Sequence, residues 1–99
     1  MKLFRIKPGK KELLLAWGRR LQEDPEALET LREEGISFEG FFFFHFNGED
    51  YAIGISDNPN PLPASNRPIN QEHKRVLKEC LESVTNLVPI YMLLRKNAP

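Results

Sequence analysis

The side chains best equipped for chemistry in this sequence are Glu39 and His73. A carboxylate beside an imidazole is a plausible general-base pair, because the carboxylate orients the ring and stabilises its charged form. The bland alternative is that His73 caps a core through one satisfied nitrogen, or that Glu39 pairs with Arg5. Trp17 suits either a hydrophobic core or a platform for an organic ligand, and the base rate for buried aromatics favours the core. Cys80 has no base beside it in sequence and lies in the middle of an apolar stripe, so it reads as core. A metal site would have to be assembled from His73, Glu39 and Asp57; none has ligand spacing, so no metal is expected. No glycine-rich phosphate loop, GxSxG or HExxH occurs, and no cofactor is expected.

These residues must be carried by elements, and one stretch organises the others. Phe38 to Phe46 reads FEGFFFFHF and is followed at once by Asn47-Gly48 and the alternating run Glu49 to Ser56. Asn-Gly suits a two-residue type I′ turn, since both positions need positive φ. The hairpin's register follows: Phe46 opposite Glu49, His45 opposite Asp50, Phe44 opposite Tyr51, Phe42 opposite Ile53. His45 and Asp50 are then a cross-strand surface pair. One face carries Phe38, Phe42, Phe44, Tyr51, Ile53 and Ile55. The other carries Phe41 and Phe43 over Ala52 and Gly54, with Glu39 and Ser56 at one end. A strand that is apolar on both faces must be covered on both.

Upstream, Lys2 to Lys7 alternates as a short strand closed by Pro8-Gly9. Lys10 to Asp24 has helical period, with Leu13, Leu14, Trp17 and Leu21 on one stripe. Asp24 reads as the N-cap of a second segment from Pro25 to Glu34, burying Leu28 and Leu31 and ending at Gly35. Downstream, residues 57–69 form a long proline-rich loop of the kind often used as a lid. Asn70 is a good N-cap for a helix whose stripe is Val76, Leu77, Cys80, Leu81 and Val84, with His73 one turn earlier. That helix is predicted to end near Thr85-Asn86. Leu87 to Arg95 reads as the last strand, placed at an edge by Pro89, and residues 96–99 as a frayed tail.

Composition bounds the partners. The chain has 99 residues, 40% of them hydrophobic and 28% charged, which suits one globular domain spanning 1–99. Fourteen basic and fourteen acidic residues cancel. A zero net charge argues against nucleic-acid and acidic-membrane partners and mildly favours self-association. A single cysteine suits a reducing compartment, the N-terminal apolar run is too short for a signal peptide, and no run would span a bilayer. The expectation is a soluble cytoplasmic domain.

The order β-α-β-β-α-β predicts an α+β ferredoxin-like sandwich, a four-stranded antiparallel sheet of order 4-1-3-2 with its helices on one face. The phenylalanine strand then lies at an open edge and one sheet face lacks helices. Both problems are solved if two sheets pack face to face in a homodimer. RNA-recognition domains share this element order, but their stacking aromatics sit on strands one and three among basic neighbours. Here strand three is DYAIGIS, and the RNA reading is rejected.

The spacing of Lys7 to Lys10, Trp17, Glu39, Gly48-Glu49 with Tyr51, and His73 ahead of Lys78-Glu79-Cys80 resembles a family of small bacterial proteins of unknown function. That family lies within the dimeric α+β-barrel superfamily, which includes antibiotic-monooxygenase-like proteins. The phenylalanine run departs from it, since more polar residues are expected there. The resemblance implies a homodimer with a small cavity per subunit and no particular reaction. Topology puts Glu39, Ser56, Asp57, the proline-rich loop and His73 at one pole, and His45 at the other. A small organic ligand is therefore expected to touch Trp17, Glu39 and His73, with the loop around Leu62 as lid. The reading is a small-molecule-binding protein or cofactor-independent enzyme with Glu39 and His73 as its catalytic candidates. The alternative is a non-enzymatic dimeric accessory or interaction module.

Overall fold

The Asn47-Gly48 turn sets the sheet. Asn47 and Gly48 have φ of 57° and 82°, the left-handed pair that a type I′ turn requires. The hairpin therefore closes in the predicted register, from Phe46↔Glu49 through Phe42↔Ile53 to Glu39↔Ser56. A computed structural model describes residues 1–57 and 63–93. Its elements are β1 (Lys2–Ile6), α1 (Lys11–Glu23), α2 (Pro25–Glu33), β2 (Glu39–Phe46), β3 (Glu49–Ser56), α3 (Pro68–Cys80) and β4 (Leu81–Asn86). The strands form one antiparallel sheet of order β2-β3-β1-β4, which is the predicted 4-1-3-2 read from the other side. With three helices among the described residues, the architecture is α+β in a ferredoxin-like arrangement.

The helix break at Asp24-Pro25 divides α1 from α2. Asp24 is extended, its carboxylate accepts from the Glu26 N–H at 2.9 Å, and Pro25 occupies the first helical turn, where its missing N–H costs nothing. The core lies between helices and sheet: Ile6, Ala52 and Leu81 meet Trp17, Ile69, Val76 and Cys80. The hairpin face bearing Phe41, Phe43 and Ala52 is thus on the helix side, where Ala52 is buried while Phe41 and Phe43 stay partly exposed. The face bearing Leu3, Phe42, Phe44, Tyr51, Ile53 and Ile55 is free of helices, and Phe42 on it is 54% exposed.

Four expectations need correction. Among the described residues the last strand is Leu81–Asn86, and the described part of the expected strand Leu87–Arg95, residues 87–93, is not a strand. Its ladder with β1 starts where α3 stops, with the Lys7 N–H donating to the Cys80 carbonyl and Ile6 opposite Leu81. The ladder is exhausted at Lys2↔Asn86, with one further bond from the Leu87 N–H to the Met1 carbonyl. Beyond Leu87 there is no more of β1 to pair with. Secondly, Asn70 does not cap α3. Pro68 takes the first turn, and Asn70 is buried two residues later, donating to the Ser65 carbonyl at 2.9 Å. Thirdly, Leu13 and Leu28 are exposed, Leu28 because it lines a cleft beside α2 instead of the core. Finally, Arg5 pairs with Glu49 and Glu82 on the helix-free face and not with Glu39 on the other. The whole tail 96–99 lies outside the described residues, as do 58–62 of the proline-rich loop, Leu62 included. No helix among the described residues is long and apolar enough to cross a membrane.

Candidate functional site

A cleft of about 470 Å³ opens between the start of β2, the ends of α1 and α2, and the first turns of α3. Its apolar walls come from Leu21, Leu28, Leu31, Phe41 and Ile69. Its ionisable side chains are Glu34, Glu39 and His73. The volume falls in the range of small-molecule sites, and mostly apolar walls with a few convergent polar groups are their usual chemistry.

Each polar group has a local reason to be there. Glu39 is the first residue of β2 and shares the helix-facing side with Phe41, since both alternate with Gly40. The strand's entrance is fixed by Asp57, whose carboxylate accepts from the backbone N–H groups of Ser37 and Phe38, both at 3.1 Å, and from the Ser37 hydroxyl. Asp57 is thereby held below the usual carboxylate range, the Ser37 hydroxyl being the main cause, and it is committed to this turn. Among the described residues no group of three or more His, Cys, Asp or Glu side chains is arranged to hold a metal ion.

Phe41 forms the cleft's inner wall because Gly54 lies opposite it. A Cβ at Gly54 would come within 2.9 Å of the Phe41 ring, and that ring stacks against Phe4 with centroids 5.7 Å apart. The glycine admits the ring, and the ring shapes the cleft.

His73 sits on the second turn of α3, and its ring meets Trp17. The indole Nε1–H donates to His73 Nδ1 at 2.7 Å, with the two ring planes inclined by only 23°. An indole nitrogen can only donate, so Nδ1 is the unprotonated acceptor and a neutral His73 carries its proton on Nε2. Protonating Nδ1 would set two donors against each other. Burial lowers the His73 pKa, with Glu34 a smaller opposing influence, so the neutral ring is the form the fold favours. The ring therefore presents an Nε2–H donor.

Glu39 is exposed as a whole residue, yet its carboxyl lies against the cleft wall. Desolvation there raises its pKa, and the neighbouring Glu34 adds to the effect. Glu34 is satisfied by neutral donors, the Ser65 N–H at 3.0 Å and the Asn70 amide at 3.4 Å. Arg67, which bonds Glu33 and Glu26, ties the same segment to α2.

The structure thus brings Glu39 and His73 to one cleft, as topology predicts, but no hydrogen bond joins them. His73 is tied to Trp17 instead, and Trp17 stands behind it in the core without lining the cleft. Leu62, the expected lid residue, lies outside the described residues. His45 bonds Asp50 at 2.7 Å across the hairpin, at the far pole. Cys80 is buried in the core. Sequence reasoning missed Glu34, which influences both titratable partners. Its only signal is its place beside Gly35 at the end of α2, which does not reveal where the carboxylate reaches.

Residues 1–98 match a family of unknown function, DUF6176, and the chain belongs to that family. No curated protein and no solved structure matches it.

Proposed function

We propose that this member of the family is a cytoplasmic homodimer of the dimeric α+β-barrel type that binds a small organic ligand in the cleft between sheet and helices. The observation that carries the binding reading is the pairing, in one largely apolar space, of a neutral imidazole locked as a donor with a carboxyl of raised pKa. The ligand has an apolar body against Leu21, Leu31 and Phe41. It offers a carbonyl-type acceptor to His73 Nε2–H and a donor or an acidic C–H to Glu39. The same arrangement suits cofactor-independent proton transfer: the Glu39 carboxylate takes a proton from the carbon next to a carbonyl, the C–H pair becomes a C=C bond as the carbonyl π pair moves onto oxygen, and His73 Nε2–H stabilises the enolate. A raised carboxyl pKa brings the base closer to neutral pH, where such a step is most effective.

A second reading has its own observation. Phe38, Phe42 and Phe46 are exposed on or beside the open sheet face, which suits a dimeric accessory or interaction module with no ligand. The two readings diverge in a thermal-shift screen with small aromatic ketones and amides. The binding reading expects at least one compound to stabilise the wild type by about 2.7 kcal/mol when present at about a hundred times its Kd. Glu39→Gln and His73→Ala should each remove most of that gain, with an unchanged far-UV spectrum showing that the fold is spared. If the whole series leaves the melting temperature unchanged, the module reading stands and the binding reading falls.

A further inference from the structure

The sheet has two unmet needs of opposite kind. The segment after β4, Val88 to Leu93, is an apolar run without secondary structure, and Val88, Ile90 and Leu93 are 85%, 97% and 89% exposed. It has run past the end of β1, so no strand of its own chain remains for it. At the other side of the sheet, β2 pairs among the described residues only with β3 and has no neighbouring strand there along its outer row of backbone groups. One is a strand-like segment without an edge, and the other an edge without a strand. They cannot meet within one chain, because β1 and β3 lie between the two edges.

We propose that Val88–Leu93 of one copy adds as a fifth strand to the free edge of β2 in a second copy, alongside that copy's cleft. A reciprocal exchange between two copies satisfies both needs twice and closes the assembly as a two-fold dimer. It also makes the partner part of the site. Glu39 to Phe42 are both the free edge and one rim of the cleft. A strand laid beside them sets every second side chain of the arm next to Phe41 on the cleft side. Pro89 fixes the orientation of the arm's backbone. It has no N–H, so it must face away from β2, and Tyr91 and Leu93 face away with it. The groups that pair with β2 then belong to Val88, Ile90 and Met92.

The inference rests on the homodimer proposed above, and its test separates the two. Sedimentation of the wild type gives the assembly state, amide exchange by NMR gives the pairing, and two proline variants check it. The expected result is a dimer in which the Ile90 and Met92 amides exchange at least about tenfold more slowly than those of Tyr91 and Leu93. Ile90→Pro deletes a pairing N–H and should shift the protein toward monomer, with Trp17 fluorescence unchanged as evidence of an intact fold. Tyr91→Pro, at an outward position, should remain dimeric. A dimer whose arm amides all exchange freely, or one weakened equally by both variants, overturns the arm exchange and leaves the dimer standing. A monomer at high concentration overturns both.

Discussion

At the scale of single residues, the cleft is defined by two departures from ordinary titration that point in opposite directions. The Glu39 carboxyl pKa is raised because burial desolvates it and Glu34 lies near. His73 prefers to be neutral because it is buried and its Nδ1 already accepts from Trp17. The consequences for stability have opposite signs. A carboxyl whose folded pKa is raised contributes stability that is fully present below its unfolded value near 4.5 and is lost as pH rises through the folded value. An imidazole whose folded pKa is lowered contributes stability that is present above its unfolded value near 6.5 and lost as pH falls through the folded one. Glu39→Gln should therefore melt higher than the wild type at neutral pH, with the gap closing as pH falls toward and below 4.5. The comparison cancels the His73 contribution, which both proteins share. Thermal melts across this range check it, and a variant less stable than the wild type at neutral pH would show that the Glu39 carboxylate is held by favourable contacts.

At the scale of elements, the two faces of the hairpin have different jobs. The Phe41 ring occupies the space that Gly54 leaves and is backed by Phe4. Gly54→Ala should cost about 1–3 kcal/mol, the scale of overpacking a filled site, because the added Cβ pushes the ring toward the cleft. Urea unfolding should show a lower midpoint with unchanged slope. An unchanged midpoint would mean that the ring moves aside freely. The hairpin was legible in the sequence, register included, because Asn47-Gly48 admits one turn and a fixed turn leaves one pairing. The division at Asp24-Pro25 was legible for a similar local reason. The boundary between α3 and β4 was not. Val84 continues the helical spacing of Val76, Leu77 and Cys80, and only the presence of β1 alongside makes LESVTN a strand. Partner strands override local period, and a single sequence does not say where a partner ends.

At the scale of the whole molecule, the sheet is covered by helices on one face and open on the other, and the net charge of zero does nothing to keep copies apart. The open face holds an ion-paired patch, Glu49–Arg5–Glu82, beside the apolar row of Leu3, Ile53 and Phe42. The candidate site was legible only at this scale. Strand order alone put Glu39 and His73 at one pole, whereas the bond to Trp17 and the reach of Glu34 depend on side-chain geometry that no spacing reveals. In the proposed function the cleft works through a neutral imidazole that donates into an apolar space opposite a carboxyl. Imidazole ¹H–¹⁵N correlation spectra of His73 at neutral pH test it most directly, recorded with and without a stabilising aromatic ketone. The expected result is an unprotonated Nδ1 and a protonated Nε2 throughout, with the Nε2 proton moving downfield when the ketone binds. A ring protonated on Nδ1, or an Nε2 proton indifferent to every ligand that stabilises the fold, would contradict it.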